Sequence, residues 1–168
     1  MAGSSAYLAG LQLLARRELS EAQLRQRLTR RGYAADDVTA AIARLLEERA
    51  LDDRRVAAAI ASTETRVRGR GRLRVKRQIE AAGISASLAE DAVERVFGEI
   101  DADALLTAAL ERRLRGRDTI ADDREFQRLY RYLLTQGFDS DRVLALLRSR
   151  RGRGDASHAT PQRRREKD

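Results

Sequence analysis

The sequence predicts an all-α fold, built as three tandem three-helix repeats that form an elongated, curved, right-handed array. The first observation is composition: 42% of the 168 residues are apolar, yet only 4% are aromatic and proline occurs once. The helix-favouring residues Ala, Leu, Arg, Glu and Gln dominate instead. The second observation is that Gly32, Gly83 and Gly137 each precede a large apolar residue, at spacings of 51 and 54 residues. A recurring unit of this length indicates a helical repeat protein.

The residues around the three glycines also match. Apolar residues stand four and eight places before each glycine and six and ten places after it, which gives each flanking helix an apolar face. Glycine ends a helix in the left-handed conformation at little cost, so each glycine is predicted to close a short helix. The matched residues are Leu24 and Leu28, Val75 and Ile79, Leu129 and Leu133 before the glycines, and Val38 and Ile42, Ala89 and Val93, Val143 and Leu147 after them.

The pattern divides the chain into five segments. Units of about 50 residues bury little surface alone and need neighbours to stabilise them. After Ser149 the apolar pattern stops, and Gly, Ser, Pro and many Arg follow, which predicts a disordered basic tail. The predicted segments are a flexible N-terminus (1–5), a first repeat (6–50), a second, basic repeat (51–99), a third repeat (100–149) and the tail (150–168).

Helix-capping residues mark the elements of the first repeat. Ser20 with Gln23 three places on fits a capping box for a second helix, Glu21–Arg31. Asp36 or Asp37 is predicted to cap the third helix. The apolar face of the first helix is predicted to consist of Tyr7, Leu8, Leu11, Leu14 and Ala15.

The later repeats begin in the same way. Asp52 and Asp53 are predicted to form the cap and first turn that open the second repeat, and Asp101 opens the third. Within the second repeat, Ser87 with Glu90 fits another capping box, which starts its third helix.

The most informative stretch is a basic segment in the second repeat. No acidic residue occurs between Glu64 and Glu80, whereas seven basic residues do. Cations without a nearby acid repel one another, which favours a phosphate-bearing partner, although a solvated basic helix surface would show the same pattern. Gly69 and Gly71 would let phosphates approach the backbone closely. The predicted DNA- or filament-binding residues here are Arg66, Arg68, Arg70, Arg72, Arg74, Lys76 and Arg77.

A weaker basic band extends into the other repeats. The equivalent helix of the first repeat carries Arg25, Arg27, Arg30 and Arg31, and the last three of these join the predicted interface. The equivalent helix of the third carries only Arg128 and Arg131, and pairing of such charges with glutamates is the alternative interpretation. A helix-turn-helix reader of base edges is disfavoured, because no turn precedes a helix with the required mixture of Asn, Gln and Arg.

Residues that carry catalysis are sparse. The chain has no cysteine, and its only histidine, His158, lies in the predicted tail. Gly69 and Gly71 are not followed by the Gly-Lys-Ser/Thr of a phosphate-binding loop. No metal-ligand spacing occurs, so no catalytic residue, metal or cofactor is predicted. No stretch approaches the roughly 20 apolar residues of a membrane span, so a cytoplasmic location without membrane contact is expected.

Five stretches within about Ala6–Ser149 form a recognisable set through their order, spacing and threefold repetition. They are Leu8–Leu19, Ser20–Gly32, Leu45–Ala57, Gly71–Ser85 and Arg128–Phe138. Together these stretches resemble the RecX family of recombination regulators. Val56 departs from the resemblance, since the family usually has an aromatic residue after the Asp-Asp-x-Arg run.

The resemblance implies a non-enzymatic regulator of DNA repair and recombination. RecX-like proteins are elongated arrays of three three-helix repeats that bind the RecA recombinase, mainly as its filament on single-stranded DNA. They lie in the filament groove and suppress ATP hydrolysis and strand exchange by limiting filament growth or promoting disassembly, and some bind DNA directly. The chain is therefore expected to act as a monomer on that filament. On the residues alone, a sequence-independent nucleic-acid-binding repeat protein and an enzyme stay open as alternatives.

Overall fold

The structure, a computed structural model, describes residues 2–151 as a succession of α-helices. A π-helical turn, Thr63–Val67, continues the fourth helix, and one isolated parallel bridge joins Ile120 to Arg151. The helices are α1 (Ala2–Leu14), α2 (Glu21–Arg30), α3 (Ala35–Glu47), α4 (Asp53–Ser62), α5 (Arg72–Ala81), α6 (Ala86–Gly98), α7 (Ala102–Leu114), α8 (Asp123–Thr135) and α9 (Ser140–Ser149).

Three hydrophobic cores follow one another along the chain. The first lies among α1, α2 and α3, the second among α4, α5 and α6, and the third among α7, α8 and α9. Each core draws on one group of three helices only, which confirms the predicted all-α fold of three tandem three-helix repeats. All twelve residues that match around the glycines are buried, each no more than 3% exposed. The exact boundaries between repeats stay a prediction, and Leu51 is buried in the first core.

The three repeat glycines adopt the predicted left-handed conformation. The backbone φ angles are 85° at Gly32, 80° at Gly83 and 89° at Gly137. After the first and the third of these glycines, the amide of the next residue donates a hydrogen bond back to the helix that has just ended. In the first repeat, the Tyr33 amide donates to the Leu28 carbonyl (3.4 Å). This closure lets the apolar residue after the glycine turn back onto its own repeat.

Most of the predicted caps are present. Ser20 and Gln23 form a reciprocal capping box, with the Gln23 amide donating to the Ser20 hydroxyl at 3.1 Å. Asp52 caps α4 by accepting hydrogen bonds from two amides of its first turn, and Asp101 does the same for α7.

Two cap predictions were wrong by two or three residues. The N-cap of α3 is Ala34, so Asp36 and Asp37 lie inside its first turn, where they offset the positive end of the helix dipole. The N-cap of α6 is Ser85 rather than Ser87, with the Leu88 amide donating to the Ser85 hydroxyl at 3.4 Å. In both cases the N-cap stands two residues after the repeat glycine.

The buried face of α1 differs from the predicted one. Leu8 is 53% exposed, while Ala6, Ala9 and Leu13 are buried. A Cβ atom at Gly10 would lie 2.8 Å from Leu45, so α1 approaches α3 through small residues and its larger side chains turn to the edges. The helix begins at Ala2, whereas the sequence predicted a flexible segment up to residue 5.

The repeats meet through two equivalent joints. In the first joint, the Ser20 hydroxyl donates to the Ala82 carbonyl (2.5 Å). In the second joint, the Gly71 amide donates to the Gln136 carbonyl (2.9 Å). Each donor stands twelve residues before its own repeat glycine, and each acceptor directly precedes the glycine of the next repeat. The same position of the unit is therefore reused along the array.

The start of the predicted disordered tail belongs to the third repeat. The Ile120 amide donates to the Arg150 carbonyl (3.0 Å), and the Arg151 guanidinium lies over the Phe126 ring and pairs with Asp123. The rest of that tail, with His158, lies outside the described residues. Across residues 2–151, no helix is long and apolar enough to cross a membrane.

Candidate nucleic-acid interface

The second joint fixes the start of α5, which carries much of the predicted interface. Besides the Gly71 amide, the Leu73 amide donates to the Gly137 carbonyl at 3.1 Å. A Cβ atom at Gly71 would lie 2.6 Å from the Phe138 nitrogen, and one at buried Gly69 would collide with the Arg112 guanidinium. The prediction that Gly69 and Gly71 open the backbone to phosphates is therefore wrong. Because these glycines have no side chain, they allow the third repeat to pack closely against this segment.

Acids from other elements lie against the basic segment. The Glu90 carboxylate on α6 accepts from Arg72 (2.7 Å) and from Lys76 (2.5 Å). Hydrogen bonds from Lys76 and Arg72 lower the pKa of Glu90, and the bond to Glu90 raises the pKa of Lys76. The premise that the cluster lacks nearby acids holds along the sequence but is wrong in three dimensions.

Two further cations of the segment are paired. Arg66 contacts Glu99 at 2.5 Å, and Arg68 contacts Glu64 at 2.7 Å. The Arg66–Glu99 pair is exposed at both partners and contributes little stability, typically about 0–1 kcal/mol, so a phosphate can displace that carboxylate at small cost. Glu64 is buried, so separating it from Arg68 costs more. With Glu94, which lies 3.5 Å from Arg72, four carboxylates face the seven cations of the segment and leave an excess of three positive charges.

The remaining three cations have no carboxylate within 4 Å among residues 2–151. Arg74 donates to the Thr135 carbonyl across the second joint (3.0 Å), and Arg77 donates to the Leu73 carbonyl of its own helix (3.2 Å). The Nε atom of Arg70 is buried without a hydrogen-bond partner among the described residues. Backbone carbonyls therefore orient the Arg74 and Arg77 guanidiniums without neutralising their charge.

The first-repeat arginines occupy the last turn of α2 and its C-cap. Arg27 and Arg30 lie in that turn, and Arg31 follows it. Within the described part of the chain none of the three pairs with a carboxylate, whereas Arg25 pairs with Glu21 at 3.0 Å. Cations at this helix end also complement its dipole. In the third repeat Arg128 lies 3.3 Å from Glu125.

An apolar groove beside the second joint was missed by the sequence reasoning. It has a volume of about 400 Å³ and presents Leu73, which is 55% exposed, with Phe97 and Phe138. Arg72 and Arg142 flank it. Its residues come from four helices and a turn, so no local pattern could have brought them together.

A family model described as "RecX, first three-helix domain" matches residues 6–45. A "Regulatory protein RecX" of Halorhodospira halophila is 34% identical over 137 residues, covering 82% of this chain and 83% of the relative. The chain belongs to the RecX family. Another regulatory protein RecX, from Chromohalobacter salexigens, is 33% identical over 136 residues and covers 79% of the chain and 84% of the relative.

Solved RecX structures share the fold. The crystal structure of RecX from Lactobacillus salivarius superposes with a TM-score of 0.71 at 21% identity and covers 88% of this chain and 96% of that one. The crystal structure of a regulatory protein RecX gives 0.73 at 22% identity, covering 88% and 72%. These structures show the fold, while the relatives at 34% and 33% identity confirm the predicted family and, with it, a regulatory role of the RecX type. Among residues 2–151 no group of three potential metal ligands occurs.

Proposed function

We propose that this chain binds the RecA recombinase filament on single-stranded DNA and lowers its ATP hydrolysis and strand exchange by limiting filament growth or promoting disassembly. The observation that carries this proposal is the match along 82% of the chain to a protein named for regulation. The chain acts as a monomer in the cytoplasm, without a cofactor and without catalysis of its own.

The cations of α5 and α2 supply the electrostatic part of that contact. Arg74 and Arg77, which have no carboxylate partner among residues 2–151, contact phosphates of the DNA or acids of the filament directly. Half-buried Arg70 adds its charge to this contact, and Arg27, Arg30 and Arg31 extend the surface in the first repeat. The paired cations Arg66, Arg68, Arg72 and Lys76 exchange their carboxylates for the partner's anions.

The arrangement supports tolerant rather than sequence-specific binding. The amides of Gly71 and Leu73 at the start of α5 are already used in the second joint, so side chains alone are left to meet an anion. Arginine contacts to phosphates carry no sequence information, and they weaken steeply as salt rises. A filament regulator must act on any DNA sequence that the recombinase covers, and such contacts meet that requirement.

The test is the DNA-dependent ATP hydrolysis of the cognate recombinase, titrated with this protein below one per recombinase monomer. The interface variant changes Arg74→Ser and Arg77→Ser. The matched control changes Arg54→Ser and Arg95→Ser, two exposed arginines on α4 and α6 without a carboxylate partner in residues 2–151. We expect substoichiometric inhibition by the wild type and the control. The interface variant should inhibit more weakly and should lower the salt slope of single-stranded DNA binding by about 1.4.

Each of the other results has a distinct meaning. Inhibition that appears only once the protein coats the DNA would favour the sequence-independent nucleic-acid-binding protein without a recombinase partner. No inhibition at any ratio would reject the proposal, though not the fold. Turnover of nucleotide or DNA that copurifies with the protein would revive the enzyme alternative.

A further inference from the structure

Four arginines surround one buried carboxylate in the third repeat, in a part of the chain that the sequence presents only as a polar connection. Arg113 stands in the last turn of α7, Arg115 directly follows that helix, Arg117 lies in the connection and Arg128 lies on α8. Together with Glu125 and the buried Leu129 they line a pocket of about 320 Å³, here called the arginine pocket.

Glu125 organises the pocket rather than neutralising it. Its carboxylate accepts two hydrogen bonds from Arg117 (2.5 and 3.0 Å), one from the Ala121 amide (2.9 Å) and one from Arg128 (3.3 Å). The Arg117 guanidinium, more than any other neighbour, lowers the pKa of Glu125 to about 2, so the carboxylate is charged at neutral pH. One carboxylate against four guanidiniums leaves an excess of three positive charges.

Arg113 and Arg115 supply the uncompensated part of that charge. Neither has a carboxylate within 4 Å among residues 2–151. The Arg113 guanidinium lies on the Tyr132 ring, 4.4 Å from its centroid, and Arg115 is in the left-handed conformation with φ 52°. The C-terminal end of α7 contributes about half a negative charge, which the excess of three outweighs.

We propose that the arginine pocket binds a phosphate group, either of a nucleotide or of a nucleic-acid backbone. Guanidinium forks match phosphate oxygens in pairs, and Arg113 and Arg115 are the direct ligands. Arg117 and Arg128, held by Glu125, add charge behind them. None of the lining residues belongs to the basic segment of the second repeat, so the site is separate from the proposed filament contact and does not rest on it.

The test uses the isolated full chain and a variant with Arg113→Gln and Arg115→Asn. Glutamine keeps an aliphatic stem on Tyr132, and asparagine tolerates the left-handed backbone better than most residues. Pyrophosphate, ADP and a single-stranded oligonucleotide are the three probes, measured by calorimetry at low and moderate salt. We expect about a tenfold loss of affinity for each charge-assisted contact that is removed. The control changes Arg54→Gln and Arg95→Gln, and circular dichroism verifies that both variants are folded.

The outcomes separate the two sources of phosphate. Loss of pyrophosphate and ADP binding in the pocket variant identifies a nucleotide site, while loss of oligonucleotide binding alone identifies a backbone phosphate site. Equal losses in the control variant would reduce the effect to net charge and overturn the proposal. It is also overturned if the wild type binds none of the probes or if the pocket variant binds them unchanged.

Discussion

Replacing each repeat glycine with alanine separates the cost of backbone conformation from the cost of breaking a joint. Gly32, Gly83 and Gly137 have nearly the same φ, between 80° and 89°, so each alanine meets left-handed strain of about 1–2 kcal/mol. Their surroundings differ. Nothing lies within 4 Å of a Cβ atom at Gly32, whereas one at Gly83 would overlap the Ala22 methyl group. At Gly137 it would overlap the Arg74 backbone, with the Cα atom only 2.8 Å away.

The Gly137→Ala change should therefore be the most costly of the three. Backbone atoms cannot rotate away, so the second joint must open. Two hydrogen bonds are then strained, from the Gly71 amide (2.9 Å) and the Leu73 amide (3.1 Å). Each contributes about 0.5–1.5 kcal/mol, and overpacking costs about 1–3 kcal/mol more. We expect Gly137→Ala to lower the free energy of unfolding by about 3–8 kcal/mol, and Gly32→Ala by about 1–2 kcal/mol.

Urea unfolding followed by far-ultraviolet circular dichroism measures these differences. Gly83→Ala should fall between the other two, because its obstacle is a single side-chain methyl group. A lower m-value in Gly137→Ala would show that the third repeat unfolds separately once its joint is broken. If Gly32→Ala costs as much as Gly137→Ala, the joint contributes nothing and the reasoning is refuted.

Three further changes test individual parts of the structure. Glu125, whose pKa is lowered to about 2, contributes stability that is present above its unfolded pKa of 4.5 and is lost as the pH falls toward 2. Glu125→Gln should flatten that loss in acid unfolding curves, and an unchanged curve would contradict the assignment. Glu90→Gln releases Arg72 and Lys76, so it should tighten single-stranded DNA binding in anisotropy titrations. The control, Glu80→Gln, removes an acid that pairs with no cation in residues 2–151, and it should tighten binding less. Equal effects would show that only net charge matters. Leu133→Ala, at a fully buried position, should cost about 2–5 kcal/mol in urea unfolding, and a cost below 1 kcal/mol would mean that the third core is loosely formed.

The fold could be predicted because its determinants are local and repeated. A glycine, an apolar residue four places before it and another six places after it fix a helix end, a turn and two buried faces within about ten residues. The capping box at Ser20 and the cap at Asp52 are equally local, and both are present. The α1 face was mispredicted because its partner is α3, about 30 residues further along, and Gly10 decides how closely the two approach.

The electrostatics of the interface could not be predicted in the same way, because its acids arrive from distant positions. Glu90 is 14 residues from Lys76 and 18 from Arg72, and Glu99 is 33 from Arg66. Along the sequence, the positive charge of the basic segment has no acid near it. In the folded protein, carboxylates from distant positions neutralise part of that charge. The arginine pocket is the opposite case, since its residues span only 113–129 but form a site because Glu125 is buried among them.

The second joint and the acids of α6 limit the ways in which the protein can contact an anionic partner. The second joint uses the backbone amides at the start of α5, and the acids of α6 restrain Arg72 and Lys76, so neither a helix N-terminus nor a rigid row of cations is presented there. What remains are individual guanidiniums without a carboxylate partner in residues 2–151, namely Arg74 and Arg77 on α5 and Arg27, Arg30 and Arg31 at the end of α2. Contacts of this kind are individually weak, sum along an extended partner and tolerate any base sequence. An extended anionic partner, such as the filament proposed above, satisfies those conditions far better than a short duplex site does.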